Sequence, residues 1–189
     1  MYIQNNSLTI RDALPADAEQ LCLWWNDGAV MAHAGFPNGL GTTPEEVSAS
    51  LRKDTDTSRR LVIELDGRPI GEMNYKTKGG RTAQIGIKIC EAGEQNKGLG
   101  TRLLRMLIAA LFDAYGYTRI VLDTNANNLR AQHVYEKLGF RRVALRENSW
   151  QDQLGRWQSA VDYELRREEF HAKERECSYG WGRGGSHEN

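Results

Sequence analysis

The sequence changes its hydrophobic period near residue 98, and that change limits what the chain can become. Ile85, Ile87 and Ile89 alternate, so they share one face of a strand. From Leu99 onward, Leu103, Leu104, Leu107, Ile108, Leu111 and Phe112 recur every three or four residues, which lays one apolar stripe along a helix. Between the two periods stands Gln95-Asn96-Lys97-Gly98-Leu99-Gly100-Thr101. A strand that passes through glycines directly into an amphipathic helix belongs to a layered α/β domain. It also sets the positive end of a helix dipole beside the sheet. Glycines at that point let successive backbone N–H groups converge on an oxyanion, so a pyrophosphate fits the description.

Two nucleotide motifs fail against this stretch. A Walker A loop needs Lys and then Ser or Thr after its second glycine, whereas Gly98 is followed by Leu99 and Gly100. A dinucleotide fingerprint begun at Gly98 needs its third glycine where Leu103 stands. ATP and NAD are therefore disfavoured.

The rest of the chain reads as alternating elements. Residues 8–13 form a strand, and Pro15 opens a helix through Leu21, Leu23, Trp24 and Trp25. Residues 28–43 read as a loop, after which Thr43, Pro44 and Glu46 make a capped helix start that runs to about Asp54. Segments 60–65 and 69–76 are joined by Asp66-Gly67, a hairpin signal. With 82–90 they give a three-stranded meander. A strand over 119–123 and a helix over 129–138, closed by Gly139, favour parallel pairing. Segments 143–146 and 159–165 are the last strands, joined by a polar connection over 150–157. Beyond Phe170 the chain is polar and rich in glycine, and a flexible tail is expected over 171–189, with a single domain over 1–170.

Composition removes several function classes. Lys+Arg and Asp+Glu each number 25 in 189 residues, so no net charge argues for nucleic acid or anionic lipid as a partner. Cys22, Cys90 and Cys177 form no CxxC pair and read as free thiols, and His33, His133, His171 and His187 lack metal-ligand spacing, so no metal is expected. No apolar run approaches a membrane span, and the first residues lack a secretory h-region, which points to the cytoplasm.

Gln95, Gly98 and Gly100 match the Q/R-x-x-G-x-G/A pattern of the GNAT superfamily of N-acetyltransferases. Asn128-Leu129-Arg130-Ala131 and Tyr135-Glu136-Lys137-Leu138-Gly139-Phe140 resemble its second hallmark, in the same order of loop, helix, strand and helix. The resemblance spans roughly residues 8–165 and is nearest to the branch of ribosomal-protein N-terminal and spermidine acetyltransferases, with Trp25-Asn26-Asp27 and Val30-Met31 as further likenesses. It implies an α/β (α+β) fold with a mixed, mainly antiparallel sheet of six to seven strands, about four helices, and a splay where acetyl-coenzyme A enters. A homodimer is compatible with the edges such a sheet leaves.

The resemblance also implies roles. Backbone groups of Ile87, Lys88 and Ile89 would align the pantetheine arm, and a backbone N–H near Ile87 would polarise the thioester carbonyl. Amides of Gln95, Asn96, Lys97, Gly98, Leu99, Gly100 and Thr101 would hold the pyrophosphate, with Asn128 and Lys137 as further cofactor contacts. Tyr135 is nominated to assist the departing sulfur. At reference values a phenol is a weaker acid than a thiol, so full proton transfer is uphill by about 2 kcal/mol, and the role expected is hydrogen bonding to the thiolate. Many relatives place a glutamate where this chain has Gln84, which cannot take a proton. Glu72 is then the nearest candidate base, directly or through water. Trp25, Asp27, His33, Glu72 and Gln84 are candidates for binding the acceptor, a small-molecule amine or a protein N-terminus, and Trp24 and Phe36 lie nearby. The missing glutamate leaves a non-catalytic acetyl-coenzyme A sensor as the alternative.

Overall fold

The computed structural model describes the backbone of residues 1–179 and the side chains of residues 1–175. The chain forms an eight-stranded sheet in the order β1-β2-β3-β4-β5-β6-β8-β7. Its strands are β1 (Tyr2–Asn5), β2 (Leu8–Asp12), β3 (Ser58–Leu65), β4 (Arg68–Thr77), β5 (Thr82–Ile89), β6 (Arg119–Asn125), β7 (Arg141–Gln151) and β8 (Trp157–Arg166). All neighbours pair antiparallel except β5 with β6. The helices are α1 (Ala18–Asn26), α2 (Gly28–Met31), α3 (Pro44–Leu51), α4 (Leu99–Asp113), α5 (Leu129–Leu138) and α6 (Arg167–Tyr179).

Alternation along the strands sorts the core into two faces. Leu61 and Ile63 of β3 join α4 and α5 on one side, while Val62 between them joins α1 and α3 on the other. The stripe of α4 is fully used: Leu103, Leu107, Ile108, Leu111 and Phe112 are each 0 % exposed. Turn chemistry fixes the frame. Asp66 and Gly67 have φ of 51° and 76°, the two left-handed positions a tight hairpin needs. Thr43 accepts the Glu46 N–H while the Glu46 carboxylate accepts that of Thr43, a closed capping box with Pro44 at the first helical position.

The structure corrects several boundaries. The strand count is eight, because β1 pairs with β2 through a turn in which Asn6 has φ 54°; its largely exposed residues carry no alternation to reveal it. The predicted loop 28–43 contains α2 and a short 3-10 turn over Ala32–Ala34. The helix opened by Thr43 ends at Leu51, short of Asp54. The polar connection between the last strands shrinks to 152–156, since β7 runs to Gln151 and β8 starts at Trp157. Residues 171–179 are helical. Their helix is anchored by Phe170, which is buried 5.8 Å from the Phe112 ring, and by His171 and Arg167, both within 3.0 Å of Asp113. The expected tail beyond residue 179 lies outside the described residues, as do His187 and the Cys177 side chain. Cys22 and Cys90 are free and buried. Among the described residues no helix is long and apolar enough to cross a membrane, and no His, Cys, Asp and Glu cluster could hold a metal.

Candidate active site

The one parallel pairing in the sheet is also its shortest. β5 and β6 pair only from Thr82 to Gln84 against Arg119 to Val121, and then part. β6 stays paired to β8 as far as Asn125, and β5 stays paired to β4 as far as Ile89. The edge of β5 from Ile85 to Ile89 is therefore open toward a fork, and its unpaired backbone groups, apart from the Ile89 carbonyl, are free for a ligand. The fork holds a cavity of about 920 Å³.

One end of this cavity is lined by Ile87, Ile89, Gln95 and Gly100, and by Asn128 and Arg130 at the start of α5. Gly98 caps α4 at φ 75° without a side-chain cap bond, so the first-turn amides have no intrahelical acceptor and stand available to an anion. A Cβ built on Gly98 or Gly100 meets nothing within 4 Å, so this helix start faces open space. Gln95 donates to the Ile89 carbonyl at 3.0 Å, tying the turn to the end of β5. Asn128 accepts the Ala131 N–H at 3.1 Å and so caps α5 while lining the cavity. Open amides, the positive helix end and the Arg130 cation suit a pyrophosphate, and the exposed strand edge suits an amide-bearing arm.

Tyr135 lines the same cavity. It is buried, edge-on to Tyr163 at 5.6 Å and to Phe140 at 5.9 Å. Its hydroxyl has no hydrogen-bond partner among the described residues. Burial, with the Asp123 carboxylate and Tyr163 adding to it, pushes the phenol up to about 12. Tyr135 is thus a neutral donor at any physiological pH.

The other end is lined by Ala29, Val30 and His33 of α2 and the turn after it, by Glu72, Asn74 and Lys88, and by Asp123, Arg146 and Trp150. Glu72 is 7 % exposed and doubly held: Lys88 Nζ donates to one carboxylate oxygen at 2.8 Å and Trp25 Nε1 to the other at 3.0 Å. The Arg60 guanidinium stands 6.0 Å over the Trp25 ring and supports it from behind. Asp123 is exposed to the cavity, with Gln84 Nε2 at 3.2 Å and Arg146 Nη2 at 3.3 Å.

The fold does not gather every candidate. Gln84 stands at the root of the fork, below the cavity, where its amide bridges to Asp123. Trp25 lies behind Glu72. Asp27 caps α2 by accepting the Ala29 N–H at 2.8 Å. Lys97 is exposed and paired with Glu94 at 3.0 Å. Lys137 sits two residues past Tyr135, about 200° around the helix, and is exposed on the outer side. Asn96, Leu99 and Thr101 are absent from the cavity wall, although the amides of the α4 start remain open; Leu99 is buried in the core. Trp24 is a core residue that donates to Glu91 at 2.9 Å, and Phe36 is surface exposed. Asn74, Asp123, Arg146 and Trp150 line the cavity without being among the residues that the sequence motifs nominate. Asn74 shares the strand face of Glu72, and Asp123 stands at the carboxyl end of a parallel strand, so both carried a usable signal.

Comparison with known proteins decides what this fork belongs to. The acetyltransferase (GNAT) domain family matches residues 7–141. The chain belongs to the GNAT acetyltransferase family. It is 29% identical over 153 residues to an aminoglycoside N(6')-acetyltransferase type 1 of Klebsiella pneumoniae, covering 73% of this chain and 76% of that one. Among solved structures it resembles a spermidine N-acetyltransferase from Vibrio cholerae in complex with CoA and spermine, at TM-score 0.79 and 21% identity over 88% of this chain and 99% of the other. It also resembles a ribosomal-protein alpha-N-acetyltransferase, RimL, in complex with coenzyme A, at TM-score 0.79 and 15% identity over 88% and 98%. At those identities the two structures speak for the fold. Membership makes the chain an N-acetyltransferase with acetyl-coenzyme A as its co-substrate.

Proposed function

We propose that this acetyltransferase acts on a primary amine of a small, hydroxyl-bearing cationic acceptor, an amino sugar of the aminoglycoside kind, and that the acceptor enters at the Glu72 and Asp123 end of the cavity. The observation that carries the reading is the pair of carboxylates that line the cavity, Glu72 buried and Asp123 exposed to it. The likeness to the Klebsiella enzyme over most of both chains supports the acceptor class.

Acetyl-coenzyme A supplies the thioester and the thiolate leaving group. The chain's residues do the rest. Amides of the α4 start, with Asn128 and Arg130, hold the pyrophosphate. The open edge of β5 aligns the pantetheine arm, and an N–H near Ile87 donates to the thioester oxygen as charge develops on it. Asp123 binds the acceptor's ammonium or a flanking hydroxyl. Glu72 takes the proton that the amine must lose, directly or through water, because its two present partners leave lone pairs unused. That loss costs about 4 to 5 kcal/mol for a lysine-like amine at pH 7, so a nearby base matters. Tyr135 donates to the departing sulfur.

The test is a screen of primary amines with acetyl-coenzyme A, read by thiol release. Kanamycin A, spermidine and a short peptide with a free N-terminus represent the three acceptor classes. Turnover of kanamycin A above the other two supports the reading. Preference for the peptide would move the acceptor to a protein N-terminus, and turnover of none would leave the sensor alternative.

A further inference from the structure

The turn between β7 and β8 reaches back across the acceptor end of the cavity and grips the loop that follows α2. Gln153 stands at its tip, more than a hundred residues away from that loop in sequence, and makes three bonds to it. Its backbone N–H donates to the Gly35 carbonyl at 2.7 Å, its Nε2 donates to the Gly39 carbonyl at 3.0 Å, and its Oε1 accepts the Asn38 N–H at 3.0 Å. Beside it the Trp150 ring fills the space over Gly35, where a Cβ would lie 2.4 Å from Cζ3. Gly35 has φ 95°, so this contact uses both its left-handed backbone and its missing side chain.

The gripping turn is itself fixed. Asp152 accepts the N–H groups of Leu154 and Arg156 at 2.9 and 3.0 Å on one oxygen, and Gln158 Nε2 at 3.0 Å on the other. The loop it holds runs directly on from Ala29, Val30, His33 and Ala34, which line the cavity. A wall free to move would have to be ordered by each acceptor that binds, and that cost would come out of affinity.

We propose that Gln153 is a positioning residue for the acceptor: with Trp150 it clasps the 28–41 segment in its binding-competent place, and so sets acceptor affinity. Gln153 does not line the cavity. The clasp shares none of the contacts that shape the pyrophosphate end, so its loss is felt by one substrate and not the other. This inference rests on the reading that the acceptor enters at this end.

The experiment uses the full chain with Gln153→Ala and Gln153→Glu. Ala removes both side-chain bonds, whereas Glu keeps the one from Asn38. Thiol release with kanamycin A or spermidine gives the KM of each substrate, and hydrogen exchange at Asn38 and Gly39 reports on the loop directly. In Gln153→Ala the acceptor KM rises about fivefold or more, as two hydrogen bonds of modest net worth imply. In Gln153→Glu the acceptor KM rises at least as far, because a carboxylate oxygen then faces the Gly39 carbonyl, exchange at Asn38 quickens in Gln153→Ala, and kcat and the acetyl-coenzyme A KM stay within about twofold. An unchanged acceptor KM, or an equal rise in both KM values, overturns the role. Unchanged exchange at Asn38 overturns the clasp itself. If the wild type acetylates neither probe, the functional reading falls and the acceptor role with it, while quickened exchange still upholds the clasp.

Discussion

Replacing Tyr135 by Phe separates hydrogen bonding to the leaving thiolate from proton transfer to it. With the phenol at about 12 and a thiol near 8.5, handing over the proton is uphill by about 5 kcal/mol, compared with about 2 for an unperturbed pair. Burial thus removes full transfer as an economical route. A hydrogen bond to a charged partner remains, and is worth about 1.5 to 3 kcal/mol. Tyr135→Phe is therefore expected to lower kcat by about tenfold to 150-fold, with the acetyl-coenzyme A KM nearly unchanged. The ring keeps its contacts with Tyr163 and Phe140, and removing a hydroxyl without a partner orphans no other group, so the melting temperature should hold. The assay is steady-state thiol release from pH 6 to about 10.5, where the wild type should show no loss assignable to phenol ionisation. A drop beyond about 10⁴-fold, joined to an alkaline limb near pH 10 in the wild type, would refute the reasoning in favour of proton transfer. No drop at all would reduce Tyr135 to packing.

Other expectations follow from the same geometry. Tyr75, Tyr135 and Tyr163 are each pushed up to about 12, chiefly by burial, so the fold favours their neutral forms. The stability tied to them is fully present below the unfolded value near 10 and lost as pH rises through about 12. Thermal melts followed by circular dichroism should fall across that window, and a flat melting temperature to pH 12 would contradict the burial. Asp123→Asn should raise the KM for a cationic acceptor about tenfold while sparing acetyl-coenzyme A, since it removes a charge from one end of the cavity only. Equal effects on both substrates would place the acceptor elsewhere.

Most of the frame was legible because it depends on local signals. The three- and four-residue stripe of α4, the Thr43-Pro44-Glu46 cap and the Asp66-Gly67 turn each encode their geometry within a few residues. That Gln95, Gly100, Asn128 and Tyr135 line one cavity was legible for the same reason, since they lie in two short motifs. The acceptor end was legible only in part, since Glu72 and His33, both nominated from the sequence, line it. Arg146 and Trp150 line it, and Gln153 holds the loop beside it, because β7 lies beyond β8 at the edge of the sheet and its turn bonds the loop after α2. β1 was hidden because its short, largely exposed strand carries no apolar period, and the later turns of α6 because long-range contacts such as Arg105 to Glu174 hold them. Lys137 is the contrast: its motif pointed to the cofactor, while helical geometry leaves its side chain exposed and off the cavity wall.

The central claim is that the start of α4 receives the pyrophosphate of acetyl-coenzyme A. Titration calorimetry of the chain with acetyl-coenzyme A, alongside ATP, NAD and the variant Gly98→Glu, tests it most directly. Saturable binding is expected for acetyl-coenzyme A alone. That binding should be lost in the variant, whose carboxylate puts a negative charge at the open amides and whose side chain strains a φ of 75°. Unaltered binding by a folded Gly98→Glu protein would contradict that claim.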